Sequence, residues 1–315
     1  MIRFIGRRLL QSVAVLFGVT IAVFVLTALL PGSTARAILG PKATAVAIAA
    51  FNQQHGLDRP LPIQYLVYVW HLAHGDLGFS YLLNESVGQL IAERLPKTLV
   101  LLTLAYAVAL LVAVPIGMMQ AVRRNRVEDY GITAVAFLLY SMPPFWLGLI
   151  LIIFFSADLS ILPPEGPQGG IDTYVGQIPS LVLPVLSLAL ITIALFSRYM
   201  RSSVIDNMVQ DYVRTARAKG ASESWVLYRH VLRNSVIPII TLLGLSLPVI
   251  FSGALITEAV FNLPGMGLLF WDAARRRDYP VLLGVTLVVA VATVIGNLLA
   301  DVLYAAVDPR VRLAE

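Results

Sequence analysis

The chain has 315 residues, of which 58% are hydrophobic and 13% charged, and its mean hydropathy is +0.81. A water-soluble domain needs about 25% charged residues to clothe its core, so this composition excludes one and points to a membrane protein. The absence of cysteine rules out a disulfide scaffold or a thiolate metal site, and the net charge of +5 takes its meaning from where the charges sit.

Six stretches carry no charge: 9–30, 98–122, 130–157, 173–197, 234–257 and 279–300. Each exceeds the ~20 residues that a helix rising ~1.5 Å per residue needs to cross a ~30 Å hydrocarbon layer. The expected fold is an all-α membrane protein. Its six spans are placed at about 9–30, 98–122, 130–157, 178–198, 235–257 and 280–304. The first has Arg3, Arg7 and Arg8 before it and Ala35-Arg36-Ala37 after it, as a secretory signal would. Its 22 residues exceed the ~7–15 of a signal's apolar region, so it is expected to be retained as a helix.

Grouping the two termini with 122–130 and 198–234 collects 15 basic residues, against 8 on the opposite side. The positive-inside rule then places both termini in the cytoplasm. The charge is accounted for by topology, and no nucleic-acid role is required.

The extracytoplasmic loop 31–97 is expected to fold on itself. A short helix at 44–54 precedes a break at 57–62, and an amphipathic helix at 63–73 stops at Gly75-Asp76-Leu77-Gly78. Tyr65, Tyr68 and Trp70 suit an interfacial aromatic belt or, equally, a docking surface. His71 and His74 share a helix face, but no third ligand is near in sequence, so an unmetallated pair is expected. Prolines at 115, 143, 144, 184 and 248 lie inside the spans and predict kinks.

Between the fourth and fifth spans, the run Asp211 to Lys219 favours helix and Gly220 is a stop. Ser222-Glu223 offers a new N-cap, with a second helix running through Trp225, Leu227, Tyr228, Val231 and Leu232 towards Pro238. Two short helices hinged at a glycine would form a cytoplasmic knob. The small residues Ala216, Ala218, Gly220 and Ala221 would let another protein approach its backbone. An amphipathic loop lying near anionic headgroups is an equal alternative from the residues alone. There is no Gly-rich phosphate loop ending in Gly-Lys-Ser/Thr, no His-Glu-x-x-His and no Gly-x-Ser-x-Gly. The spans also lack the ionisable groups common in ion-coupled carriers. Asp301 beside Asn297 is expected to be a polar pair at a helix end.

Arg214-Thr215-Ala216-Arg217-Ala218-Lys219-Gly220, followed by Arg229-His230-Val231-Leu232-Arg233-Asn234, resembles the cytoplasmic signature loop of ABC-importer permeases. The resemblance is to the dipeptide/oligopeptide/nickel branch and its B-type subunit. Arg214 and Thr215 stand where the general pattern has Glu and the first Ala. His230–Arg233 replaces its Ile-x-Leu-Pro, a variant similar to that of the peptide branch. The same branch is resembled at Arg7-Arg8-Leu9-Leu10, Leu29-Leu30-Pro31-Gly32, and Gly56-Leu57-Asp58-Arg59-Pro60-Leu61-Pro62-Ile63-Gln64-Tyr65. It is resembled again at Glu258-Ala259-Val260-Phe261-Asn262-Leu263-Pro264-Gly265-Met266-Gly267 and at Arg277-Asp278-Tyr279-Pro280.

The resemblance implies a type I importer permease, a single domain in the bacterial cytoplasmic (inner) membrane. It implies a second permease subunit, two ATPase subunits and an extracytoplasmic substrate-binding protein delivering peptide-like cargo, with nickel chelates or glutathione as alternatives within the family. The chain itself would hold no cofactor, since ATP and Mg belong to the ATPases, and would not be an enzyme. Within the coupling loop 202–234, ATPase contact is assigned to Arg214, Thr215, Ala216, Arg217, Lys219, Gly220, Ser222, Glu223, Arg229 and His230. Ser187, Thr192, Thr241 and Ser246 are candidates to line the translocation path, or to hydrogen-bond their own helix instead. A secondary carrier or channel working without an ATPase is the rival reading.

Overall fold

The computed structural model describes residues 2–29, 34–40 and 42–307. The Pro31-Gly32 motif and the C-terminal arginines lie outside the described residues, as do the side chains of Arg7, Arg8, Arg36 and Asp301. The described chain is helical apart from one hairpin of two-residue strands. It divides into two compact units.

The first unit lies within residues 1–98, 251–255 and 264–295. It contains α1 (Ile2–Leu29), whose described apolar run is Leu10–Leu26, and α2 (Thr34–Leu39). Then come α3 (Ala45–Gln54), capped by the Thr44 hydroxyl accepting from the Ala47 amide, and α4 (Leu61–Ala73). These follow the expected 44–54 and 63–73 helices closely. Gly75, at φ +79°, ends α4 with its amide on Leu72 and the Asp76 amide on His71, a paired cap that requires a left-handed residue. Strands β1 (Phe79–Ser80) and β2 (Glu85–Ser86) pair antiparallel and lead into α5 (Val87–Val122). The unit's core joins Val87, Leu90 and Ile91 to Met266, Leu269, Ala273, Val281 and Val285, from α13 (Met266–Arg276) and α14 (Tyr279–Val307).

The second unit lies within 99–250 and 256–263, together with the end of the chain from 296. After α5 it contains α6 (Val127–Ser141), α7 (Pro144–Asp158), α8 (Ile171–Gly176), α9 (Ile178–Met208), α10 (Asp211–Ala218), α11 (Glu223–Ser252) and α12 (Leu255–Val260). Helices α5 and α9 approach so closely that a Cβ on Gly117 would lie 2.6 Å from Met200 Cβ and 2.7 Å from the Ser197 carbonyl.

Among the described residues, four helices are long and apolar enough to cross a membrane: α5, α9, α11 and α14 over Tyr279–Leu298. The expected third span, 130–157, is not one straight rod, because α6 and α7 meet at 104°. Met142 and Pro143 adopt ψ of 134° and 135°, the extended conformation that the following prolines impose, and two consecutive amide donors are lost. By contrast the helices continue through Pro115, Pro184 and Pro248. The expected fifth span, 235–257, also shifts. Helix α11 stops at Ser252 because Gly253 turns left-handed at φ +87°. At its other end α11 reaches back to Glu223, through one wide turn at Leu227–Val231 and past Pro238. The second arm of the knob is therefore the start of a 30-residue helix, where the sequence predicted a short one. Leu111, Leu138 and Leu245 are each more than half exposed, an outer surface suited to hydrocarbon.

Candidate functional site

The elbow between α10 and α11 stands on an apolar root. Val213 (0% exposed), Ala216, Val226 and Val231 point into a cluster with Met118, Phe196, Met200 and Val204 of α5 and α9. Full burial of each valine contributes about 1.5–3 kcal/mol relative to exposure. The opposite face carries the elbow's polar side chains, so the period of the buried positions settles which residues are presented. Gly220, at φ +82°, makes the bend, with its own amide on the Arg217 carbonyl and the Ala221 amide on Ala216. The Ser222 hydroxyl then accepts from the Trp225 amide and starts α11.

Across the bend, the Arg217 guanidinium donates Nε to Glu223 Oε1 at 2.8 Å and Nη2 to Oε2 at 3.0 Å. Tyr212 donates to Asn207 at 2.6 Å, and Trp225 meets His230 edge-to-face with centroids 4.7 Å apart.

Of the ten residues assigned to ATPase contact, Arg214, Thr215, Arg217, Lys219, Gly220, Ser222, Glu223 and Arg229 are exposed together on the elbow. His230 is half-buried under Trp225. Ala216 differs: it is 8% exposed, and its small side chain lets α10 close onto the root.

The four hydroxyls proposed for the path each donate to the preceding turn. Ser187 bonds Pro184 at 2.8 Å, Thr192 bonds Leu188 at 2.9 Å, Thr241 bonds Ile237 at 3.2 Å and Ser246 bonds Leu242 at 2.8 Å. Ser187 is buried within its unit and Thr241 is exposed. The histidine pair also separates. His71 Nδ1 lies 3.1 Å from Asp76, whereas His74 Nδ1 bonds the Trp70 carbonyl.

One pair near the elbow was not legible in the sequence. Arg201, near the end of α9, grips Asp129 at the start of α6 with two hydrogen bonds of 2.7 Å. The Asp129 side chain is only 3% exposed and also accepts the Asn125 amide, fixing the turn between α5 and α6. The hydrogen bonds from Arg201 hold this carboxyl below its usual range. Its only sequence signal is an acid beside the edge of a charge-free stretch.

Comparison with known proteins agrees along the chain. Residues 113–313 match the family described as binding-protein-dependent transport system inner membrane component, and residues 1–102 match its N-terminal membrane component. The chain is 40% identical to an oligopeptide transport system permease protein of Bacillus subtilis, covering 99% of each chain. It is 42% identical to a putative peptide permease protein of Brucella ovis, over 99% of this chain and all of the other. A glutathione transport system permease protein of Salmonella typhi is 40% identical, with 99% of each covered. With its long apolar helices and these matches over both halves, the chain is a multi-pass membrane protein and belongs to the family of inner membrane components of binding-protein-dependent transport systems.

Proposed function

We propose that this chain is the permease subunit of an ATP-driven importer of short peptides in the bacterial inner membrane. It crosses six times, counting α1 and the bent α6–α7 pair as one crossing each, with both termini in the cytoplasm. It pairs with a second permease and two ATPase subunits, and receives cargo from an extracytoplasmic binding protein. ATP and Mg stay on the ATPases, and this chain catalyses no reaction. Relatives that carry oligopeptides, peptides or glutathione support the cargo class.

One observation carries the coupling role. The elbow presents eight of its assigned residues to solvent while its root is locked into the α5–α9 core. Because α11 runs as one 30-residue helix from Glu223 to Ser252, with a wide turn at Leu227–Val231 and a turn residue at Val236, a displacement of the elbow is delivered along the fifth span. Closing ATPases would thereby drive alternating access in the paired permeases.

The test is ATPase activity of the purified complex in lipid, with and without peptide-loaded binding protein. Loaded protein should raise activity, and Gly220→Asp should abolish that response. A chain that purifies without an ATPase, and moves solute without ATP, would establish the carrier reading instead.

A further inference from the structure

The first unit holds a partly open cavity of about 960 Å3 between the end of α1, helices α3 and α4, the β hairpin and the start of α14. Its volume lies near the upper end of small-ligand sites. One wall is aromatic: Phe51 stacks on His55 with centroids 4.1 Å apart, and Tyr81 meets His55 edge-on at 4.7 Å.

The polar groups of the lining are unequal. Asp76 is already engaged, its carboxylate accepting the Gly78 amide at 2.8 Å and facing His71 at 3.1 Å. Arg59 has no carboxylate within ion-pair distance among the described residues. Its guanidinium lies over Gly56, where a Cβ would come within 3.3 Å of Nε. The hydroxyl of Tyr279, also in the lining, is enclosed without a hydrogen-bond partner among the described residues. Among the described residues, the charged group of the lining left unengaged is thus a donor, Arg59, beside a flat apolar wall, while the neutral amides of Asn52 and Gln54 can donate or accept.

We propose that this cavity binds a short peptide, with its C-terminal carboxylate on Arg59 and an apolar or aromatic side chain against Phe51, His55 and Tyr81. The proposal rests on the peptide-importer reading and adds a holding site in the extracytoplasmic loop region, apart from the hydroxyls assigned to the path. A free C-terminal carboxylate meets the unpaired cation, and the cavity volume exceeds that of a tripeptide.

The experiment uses the complete permease–ATPase complex in nanodiscs without binding protein. The probe is a radiolabelled tripeptide with a central phenylalanine, prepared as the free acid and as the C-terminal amide. The free acid should bind at least tenfold more tightly than the amide. Arg59→Gln should remove that preference, and Tyr81→Ala should weaken both forms. Equal binding of acid and amide, or wild-type binding by Arg59→Gln, would overturn the site. Loss of peptide binding on exchanging zwitterionic lipid for phosphatidylglycerol would show the cavity to be a lipid headgroup site and overturn it too. Uptake into vesicles with binding protein present separates the two claims. If the full system moves peptide while the binding test fails, only the cavity proposal falls. If it moves no peptide, the importer reading falls and the cavity proposal with it.

Discussion

The elbow between α10 and α11 and the cap of the first unit, built of α3, α4, the hairpin and the start of α14, are both helix-turn constructions closed by a left-handed glycine, Gly220 in one and Gly75 in the other. They are held in opposite ways. The elbow sinks Val213, Ala216, Val226 and Val231 into a core and leaves its charges outside. In the cap, neither α3 nor α4 has a single buried residue, and ring contacts such as Phe24 with Tyr68 line a hollow. In the proposed function, a filled root would serve as a lever that moves with its helix, and walls around an open cavity as a container.

The severest way to break this contrast is to put a charge in the elbow's root. Val213 is fully buried among apolar side chains, and an ionised carboxylate there costs several kcal/mol. Val213→Asp should undock α10, seen as protease cleavage near Gly220 and loss of ATPase subunits on purification. An equivalent charge in the cap, Val67→Asp on the cavity lining, should leave the ATPases bound. Equal damage from both would erase the distinction between lever and container.

Two carboxylates sharpen the comparison through pH. Asp129, on the elbow's side of the membrane in the proposed topology, is held low by hydrogen bonds from Arg201. A depressed value stabilises the fold above the ordinary carboxylate range, and that stability is lost as pH falls through the lowered value. Asp129→Asn leaves a partly exposed guanidinium without its carboxylate and should cost about 1–3 kcal/mol at neutral pH.

In the cap, Asp278 is 5% exposed, accepts a hydrogen bond from Ser80 and is pushed up by burial. A raised value has the reverse sign. The contribution is present at low pH and is lost as pH rises through the raised value. Asp278→Asn keeps an acceptor for Ser80 and should be neutral or stabilising at pH 7, by at most about 1 kcal/mol. Thermal unfolding of the two variants from pH 2 to 8 should slope in opposite directions relative to the wild type, the Asp129→Asn difference changing only at and below the ordinary carboxylate range and the Asp278→Asn difference changing above it. Parallel slopes would contradict the assignment.

How much of the fold and the site is legible in the sequence follows from the range of the interactions. Thr44, Gly75, Gly220 and Ser222 act within a few residues of themselves, so the helix ends they set can be read directly from the sequence. The bend at Met142–Pro143 was announced by its prolines, although Pro115, Pro184 and Pro248 carry the same signal inside continuous helices. Local chemistry does not decide between a kink and a break. The Asp129–Arg201 pair joins positions 72 residues apart, and Ser80–Asp278 joins positions 198 apart. Neither has any periodic trace. A hairpin of two-residue strands offers no alternation to detect, and the cavity depends on three separate stretches meeting. Ala216 shows the limit within a legible motif. Its small size suggested an approaching partner, whereas its own root is what it packs against.

The finest prediction concerns Arg217 and Glu223, which pair across Gly220 and also belong to the presented surface. Their side chains are 37% and 73% exposed, so the pair is worth no more than about 1 kcal/mol to the fold. Arg217→Gln alone should barely move the melting temperature, whatever the elbow does. The exchange Arg217→Glu with Glu223→Arg rebuilds the pair with its polarity reversed. If the pair serves only to brace the bend, the exchanged chain should couple as the wild type does. If the elbow is read by an ATPase through its surface charge, stability should be kept while binding-protein-stimulated ATPase activity falls by tenfold or more. A solvated loop predicts no change in either quantity. The double exchange therefore separates the brace from the contact, which neither single substitution can do.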